Sequence, residues 1–366
     1  MRMTGLLPEG FHDRLPPAAD AATGLEARVL GVARLYGYEQ VDPPLVEFAD
    51  ELASRLKAGG VRDAVRFVDP VSQRTLAIRP DLTAQIGRIA ATRMGHHPRP
   101  VRLSYAGAVV KLSASELNPQ RAMRQMGCEL IGLDTVAAAI EVVRVAIEAL
   151  QAAGVSGIAL DFTLPDLVDT LARELDPPTL NTLRDRLDAK DAGGVAAIDA
   201  RWLPLIEAAG PFDAAMARLR AIDAGNALAS RLDALAQIAA SVNGQAALTL
   251  DPTERHGFEY QSWLGFSIFA RGVRGEIGRG GTYTILHGDG HEEPAVGFSL
   301  FTDPILDAGL SVDERRRLFL PFGTPAIEGT RLRAQGWVTV AALEAGDTPE
   351  AQLCTHVLGD GGPRTL

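Results

Sequence analysis

Three residues of the segment 122–131 have side chains and a spacing that suit the binding of a small ligand. Gln125, Gly127 and Glu129 recur at every second position of AMRQMGCELI, which is otherwise mostly apolar. Side chains on a strand alternate between faces, so an amide, a glycine and a carboxylate would share one face. A solvated edge strand is the simpler alternative, but the apolar neighbours favour a buried strand, whose polar groups need partners. The pattern predicts that the glycine leaves room above the sheet, bordered by Gln125 and Glu129.

A second candidate is the segment RPDLTAQ, which places a carboxylate and a hydroxyl where a strand-like run meets a helical one. When only the residue types are considered, Asp81 and Thr83 are better explained by ordinary N-capping of that helix than by ligand binding. The chain has no GxGxxG or GxxxxGK[ST] phosphate loop, and no GxSxG, HExxH or kinase signature. These absences argue against P-loop nucleotide hydrolases, serine hydrolases, zinc peptidases and kinases.

The composition indicates a globular protein large enough for more than one domain. The 366 residues are 46% hydrophobic and 22% charged, which is ordinary for such proteins. The net charge of −10 argues against a broad nucleic-acid surface. Cys128 and Cys354 are too few for a disulfide framework and lack the spacing of metal ligands. With no apolar run of signal or membrane-spanning length, we expect a cytoplasmic protein without metal, cofactor, membrane or nucleic acid.

Helices and a sheet must position the candidate residues. Helical spacing predicts helices over 17–37, 81–94 and 135–153, the last with Asp134 as its N-cap and Gly154 beyond its end. Apolar runs predict a hairpin over 65–79, a second hairpin from strands 100–110 and 123–134, and further strands within 257–272, 275–288 and 295–309. Because many of these strands are joined by loops rather than crossover helices, we expect an antiparallel sheet with helices outside it, an α+β fold.

The composition changes between residues 165 and 243, which are rich in Ala, Leu, Asp and Arg. This predicts a helical insertion within a fold made by residues 1–164 and 244–310. Residues 311–366 then form a small C-terminal appendage, in which GTRLRAQG is helix-like and WVTVAAL is strand-like.

Taken in order, these segments resemble the catalytic domain of class II aminoacyl-tRNA synthetases, most closely that of histidyl-tRNA synthetase. LLPEGFHDRLPP is similar to the family's N-terminal entry, YGYEQVDPPLVEF to motif 1, and LAIRPDLTAQIGR to the LRPE-x-T loop. The hairpin over 100–132 takes the place of motif 2. HGFEYQSWLGFSIF resembles the RGLDYY histidine-binding stretch, GRGGTY resembles the GGRYD strand, and AVGFSLFTDPIL lies at motif 3. The resemblance covers about residues 5–160 and 245–310, and it implies the family's antiparallel sheet flanked by helices.

The resemblance also implies a histidine pocket. Asp81 and Thr83 take the positions that hold the amino acid's α-amino group. Gln125 takes that of the motif 2 glutamine, which contacts the amino acid's backbone groups, and Glu129 that of the glutamate that accepts a hydrogen bond from imidazole. The RGLDYY and GGRYD segments line the ring site. The ligand-binding residues expected on this basis are Asp81, Thr83, Lys111, Gln125, Glu129, His256, Tyr260, Gln261 and Tyr283.

The family's ATP-binding residues are replaced. The motif 2 arginine that clamps the α-phosphate is Lys111, the motif 3 arginine is Pro304 with Phe301 nearby, and the RGLDYY arginine is His256 with Arg255 adjacent. Arginine and lysine are not interchangeable at bidentate phosphate sites, and proline supplies no donor. Since adenylate formation depends on such fixed cations, the resemblance implies an amino-acid site that has lost its ATP site. An anticodon-binding domain is also not expected.

This combination resembles the regulatory subunits of ATP phosphoribosyltransferase, a glycosyltransferase. The resemblance implies a chain with no catalysis of its own that partners the short catalytic subunit in the first step of histidine biosynthesis. It also implies a homodimer, built around residues 37–50, within a larger hetero-oligomer, and feedback inhibition by L-histidine. Two alternatives remain open: a divergent but active histidyl-tRNA synthetase without its anticodon-binding domain, and a free-standing amino-acid sensor or a modifier of another protein.

Overall fold

A computed structural model describes residues 6–53, 64–113, 119–255, 257, 260–310 and 316–366. The residues up to 310 form one compact unit and residues 316–366 a second. The first unit contains a 3-10 helix at Ala200–Trp202. Its other elements, in chain order, are α1 (Ala18–Leu35), β1 (Glu39–Gln40), β2 (Val46–Phe48), α2 (Ala49–Ala53), β3 (Arg66–Val68), β4 (Thr75–Ile78), α3 (Thr83–Thr92), β5 (Val101–Val110), β6 (Ala122–Ile131), α4 (Val136–Ala152), β7 (Ile158–Thr163), α5 (Leu167–Leu171), α6 (Pro177–Asp188), α7 (Ala192–Asp199), α8 (Leu203–Glu207), β8 (Gly210–Pro211), α9 (Phe212–Ile222), α10 (Ala229–Ser241), β9 (Ala247–Leu250), β10 (Gln261–Ala270), β11 (Gly278–Leu286), β12 (Glu292–Phe301) and α11 (Thr302–Asp307).

A nine-stranded sheet forms the centre of the first unit, in the order β1-β5-β6-β12-β11-β10-β7-β9-β8. The predicted α+β fold, an antiparallel sheet flanked by helices, is confirmed with two exceptions. The pairs β1–β5 and β7–β9 are parallel, so the sheet is mixed. The hairpin predicted over 65–79 is also present, as β3 and β4 of a separate three-stranded sheet with order β2-β4-β3.

Helix α4 shows how an apolar face and a polar cap form an element that covers the sheet. Its buried side chains include Val142, Val143 and Ala146. The predicted N-cap, Asp134, is wrong by one residue, because Thr135 has the extended backbone of a cap and its hydroxyl accepts from the Ala138 N–H at 3.4 Å.

The sheet separates two apolar clusters. Met126, Cys128 and Leu130 of β6 belong to the larger cluster, which includes buried residues of α1, α4 and the helices of 165–243. Leu82, at the start of α3, and Tyr105 of β5 belong to the smaller cluster on the other face. The alternation predicted for β6 is therefore confirmed, since its polar residues do not share the face of the larger cluster.

The helices predicted between residues 165 and 243 are present as α5 to α10. Asp176 and Asp191 begin α6 and α7, where their side chains accept from the N–H groups of Thr179 and Gly194. The short strand β8 extends the main sheet by pairing antiparallel with β9, which the helical pattern of the segment does not indicate. No helix in the described ranges combines the length and the apolar character needed to span a membrane.

The second unit consists of β13 (Arg317–Leu320), α12 (Ala326–Ala334), β14 (Val338–Ala341), β15 (His356–Gly359) and β16 (Gly362–Thr365). Its sheet has the order β14-β13-β15-β16, with β13 parallel to both neighbours and β16 antiparallel to β15. Leu318, Leu320 and Leu332 form its apolar core. The helix and strand predicted in this segment are α12 and β14.

Candidate ligand-binding site

A row of glycines crosses the sheet beside Glu129. Glu129 on β6 pairs with Gly297 on β12, Gly297 pairs with Gly281 on β11, and Gly281 pairs with Gly265 on β10. Directly paired residues share a face of the sheet, so backbone forms the floor between Glu129 and β10. Above this floor lies a small cavity lined by Thr83, Glu129, Tyr260, Gln261, Arg279, Gly280, Gly281, Tyr283, Gly297, Phe298 and Ser299.

Two tyrosine hydroxyls hold the carboxyl group of Glu129. Tyr105 donates to Oε1 at 3.0 Å and Tyr283 donates to Oε2 at 2.7 Å. Glu129 is only 1% exposed. Burial raises the pKa of its carboxyl to about 8, although hydrogen bonds from Tyr283, Tyr105 and Thr83 oppose the shift. The carboxyl is therefore mostly protonated at pH 7, and a ligand cation or N–H donor would favour its ionised form.

Gln125 joins the sheet to the start of α3. Its Nε2 donates to Asp81 Oδ2 and to Ser299 Oγ, both at 2.7 Å, and its Oε1 accepts from the Leu82 N–H at 3.0 Å. The other oxygen of Asp81 accepts from the Thr83 N–H at 2.7 Å. Leu82, and not Asp81, stands at the N-cap position of α3, so Asp81 contacts the first residue of the helix from one position before the cap and connects that turn to β6.

The space above Gly127 is filled, so the prediction of an open space there is wrong. Tyr105 pairs with Gly127 across the β5–β6 hairpin. A Cβ atom on Gly127 would lie 2.6 Å from the Tyr105 hydroxyl and would clash with the Phe298 carbonyl. The glycine accommodates the tyrosine that holds Glu129, and the cavity lies on the other side of Glu129, over β12 and β11.

The far wall of the cavity contains two tyrosines and a glutamine. Tyr260 and Tyr283 meet edge to face, with ring centroids 6.0 Å apart. Burial raises the pKa of both hydroxyls, so both tyrosines are neutral hydrogen-bond donors at physiological pH. Gln261 Nε2 donates to the Gly280 carbonyl at 3.0 Å. Gln261 Oε1 is buried and has no hydrogen-bond partner among the described residues.

The structure brings most of the predicted site residues together. Those that line the cavity are Thr83, Glu129, Tyr260, Gln261 and Tyr283, and Asp81 and Gln125 adjoin it through hydrogen bonds. Lys111 follows the end of β5, where its N–H donates to the Arg121 carbonyl, and it does not line the cavity. His256 lies outside the described residues.

Sequence reasoning misses Tyr105, Ser299, Gly297 and Arg279. Tyr105 and Ser299 hydrogen-bond each other at 2.9 Å and contact Glu129 and Gln125, respectively. A bulky aromatic residue paired with a glycine across a hairpin could have indicated Tyr105. Recognising that pair requires the register of the hairpin, which a long connecting loop does not specify.

The cations near the start of α11 are already paired with carboxylates. Asp303, adjacent to Pro304, is 4% exposed and forms an ion pair with Arg14. The Arg124 guanidinium binds Glu26. A buried carboxylate and neutralised arginines are a poor environment for the phosphates of ATP.

The comparisons with known proteins agree with this geometry. The family model for histidyl-tRNA synthetase matches residues 10–305. An ATP phosphoribosyltransferase regulatory subunit from Rhodospirillum centenum is 43% identical over 97% of this chain and 95% of that protein. The chain belongs to the family of ATP phosphoribosyltransferase regulatory subunits. A second relative of that description, from Paramagnetospirillum magneticum, is 40% identical over 98% of this chain and 97% of its own.

The family assignment confirms the resemblance inferred from the motifs, and a solved structure agrees with the fold. A protein from Bacillus halodurans described as an ATP phosphoribosyltransferase regulatory subunit/histidyl-tRNA synthetase superposes with a TM-score of 0.79 over 96% of both chains, at 21% identity. A chain of the ATP phosphoribosyl transferase (HisG:HisZ) complex from Thermotoga maritima gives a TM-score of 0.60 over 79% of this chain and 98% of its own, at 18% identity.

Proposed function

We propose that this chain is the non-catalytic subunit that binds the short catalytic subunit of ATP phosphoribosyltransferase, supports its activity in histidine biosynthesis and transmits inhibition by histidine. The names of its relatives support the regulatory role. The single observation that supports histidine as the effector is the buried carboxyl of Glu129. Two tyrosines hold it at the edge of a cavity whose floor is made of glycines.

The cavity has groups that suit each part of a histidine molecule. The Glu129 carboxyl would accept a hydrogen bond from an imidazole N–H, and the aromatic faces of Tyr260 and Tyr283 would contact the ring. Asp81 and Thr83, at the start of α3, offer oxygens for the α-ammonium group. An apolar amino acid would offer no donor to the Glu129 carboxyl and would forgo the hydrogen bond that an imidazole N–H makes, which disfavours its binding.

The absence of catalysis is supported by the electrostatics around α11. Adenylate formation needs arginines that face the phosphates, whereas Arg14 and Arg124 are paired with Asp303 and Glu26. Pro304 offers no donor. The chain would therefore bind the amino acid without activating it.

A catalytic partner is supported by the complex from Thermotoga maritima, one chain of which shares this fold. A cytoplasmic location is supported by Cys128 and Cys354, which are both free and buried, as suits a reducing compartment.

The test is a histidine inhibition curve of the catalytic subunit reconstituted with wild type or with Glu129→Gln. Replacing the carboxylate removes a charge-assisted hydrogen bond, so histidine binding by calorimetry should weaken by about 1.5–3 kcal/mol. Because coupling is reciprocal, the inhibitory midpoint should rise by a similar factor. Glu148→Gln, which alters a hydrogen bond to Tyr36 just after the end of α1, is the control and should leave the midpoint unchanged. Unaltered histidine binding and inhibition in Glu129→Gln would place the effector elsewhere, for example on the catalytic subunit.

A further inference from the structure

Lys190 has a backbone conformation that is unusual for a residue with a side chain. Its φ is +53°, and it lies in the turn that ends α6. There the Lys190 N–H donates to the Leu187 carbonyl at 3.1 Å, and the Asp191 N–H donates to the Arg186 carbonyl at 2.9 Å. These two bonds define a Schellman motif, whose left-handed position is usually glycine because a Cβ atom is disfavoured there. A lysine that accepts this strain indicates a role for its side chain.

The Lys190 amine binds a short segment that follows β9, outside the helical insertion. Its Nζ donates to Asp251 Oδ1 and to Thr253 Oγ1, both at 2.6 Å. Asp251 Oδ1 also accepts from the Thr253 N–H at 3.2 Å, and Thr253 is only 6% exposed. The amine therefore joins the end of α6 to a turn over residues 251–253.

A second carboxyl group makes the charge of Lys190 important. Asp161 on β7 is half-buried, and burial raises the pKa of its carboxyl. The negative charge of Asp251 raises this pKa further, whereas the positive charge of Lys190 lowers it. Without the amine, the two carboxyl groups would lose the cation that lies near both, and their mutual repulsion would favour a displaced turn.

The segment held by Lys190 also contacts the main sheet at the end of the glycine row. The Thr163 hydroxyl donates to the Glu254 carbonyl at 2.6 Å. Thr163 is buried and pairs with Gly265 on β10, which is the member of the row farthest from Glu129. The segment is thus attached to the strand at which the floor of the cavity ends.

Another contact joins the same segment to α6. The Arg255 N–H donates to Oδ1 of Asp188, the last residue of α6, at 2.7 Å. Tyr260, which lines the cavity, follows shortly after in the chain. Residues 251–255 therefore depend on the end of α6 for their position, and they lead directly into the wall of the cavity.

We propose that Lys190 is a positioning residue for the ligand-binding site and that it couples the helical insertion to histidine binding. This inference rests on the proposed function, because it concerns control of the same site. Lys190 does not line the cavity. It holds residues 251–255 against α6, and these residues determine where the chain enters β10. Occupation of the cavity and attachment of the insertion should therefore stabilise each other.

The test uses two variants that both remove the amine but differ in their effect on the backbone. Lys190→Gly relieves the left-handed strain, whereas Lys190→Met keeps it. In calorimetry on the full chain, both variants should bind histidine about tenfold more weakly than wild type, because both lose the coupling. Their stabilities in urea should nevertheless differ, with Lys190→Gly the more stable of the two.

The matched control is Asn226→Gly. Asn226 also lies in the insertion and has a φ of +57°, but its N–H donates to the Asp223 carbonyl within the insertion. This variant should bind histidine as wild type does. An equal loss of binding in Asn226→Gly, or a loss in Lys190→Met but not in Lys190→Gly, would show that the stability of the insertion controls the affinity rather than the amine. Either result would overturn the inference.

A second readout is the amide hydrogen exchange of residues 186–191 with and without saturating histidine. Because the coupling is reciprocal, histidine should slow this exchange more in wild type than in Lys190→Gly. If wild type binds histidine but exchange at the end of α6 does not respond, or if Lys190→Gly binds histidine normally, the inference is wrong and the proposed function stands. If wild type binds no histidine at all, both are wrong.

Discussion

Replacing Glu129 by glutamine should change how the stability of the protein depends on pH. The folded chain holds the pKa of this carboxyl at about 8, against its ordinary value of 4.5. Between these values the unfolded chain has ionised the group and the folded chain has not, so the folded state binds more protons. Stability contributed by Glu129 is therefore complete below about pH 4.5 and is lost as the pH rises toward 8.

The size of the effect follows from the linkage. Each pH unit inside the interval lowers the free energy of unfolding by about 1.4 kcal/mol. Between pH 5.5 and 7.5, wild type should lose about 3 kcal/mol relative to Glu129→Gln, because the variant has no proton to release at this position. Contributions from other titrating groups cancel in the difference between the two proteins.

The assay is urea unfolding of both proteins at pH 5.5, 6.5 and 7.5 without ligand. Glu141→Gln is the matched control, because hydrogen bonding to Arg102 lowers the pKa of Glu141. That carboxylate is ionised in both states throughout the range, so its loss should change stability equally at every pH. If wild type and Glu129→Gln keep parallel curves, the carboxyl is already ionised in the folded protein, and the account of its burial fails.

Three further results are expected. Gly297→Ala should abolish histidine binding measured by calorimetry, because its methyl group would clash with Glu129. The control is Gly31→Ala on α1, where a methyl group would meet open space. This variant should retain binding, and its free energy of unfolding in urea should rise by about 0.5–1 kcal/mol. Retained binding in the first variant would contradict the described floor. The purified chain should show no histidine-dependent ATP–pyrophosphate exchange, since Pro304 replaces a phosphate-binding arginine; exchange at synthetase rates would favour the alternative of an active enzyme. Light scattering at micromolar concentration should give a homodimer built around residues 37–50, and a monomer would refute that interface.

The arrangement within β6 can be predicted from sequence because it depends on local geometry. Strand alternation assigns Gln125 and Glu129 to one face wherever the strand lies in the sheet. The ordered motifs then predict the sheet and the family, since each motif corresponds to one strand or helix start. Glycine and proline positions likewise indicate where most helices end.

The site residues that the sequence did not indicate depend on contacts between distant segments. Tyr105 reaches Glu129 only in one register of the β5–β6 hairpin. Ser299 and Gly297 belong to a strand more than 150 residues away. The N-cap of α4 is displaced from Asp134 to Thr135 because either residue can cap a helix, and the local backbone decides between them.

The glycine row restricts how this protein and its relatives can diverge. Glycine is the smallest residue, so every substitution at Gly297 or Gly281 adds atoms, and at both positions those atoms would meet a polar side chain of the cavity wall. Substitutions at these two positions can therefore only reduce the space in the cavity. A lineage that stopped using the cavity would be free to fill it, whereas one that still depends on it would not. The residue types at these two positions should therefore separate relatives that retain the pocket from those that have abandoned it.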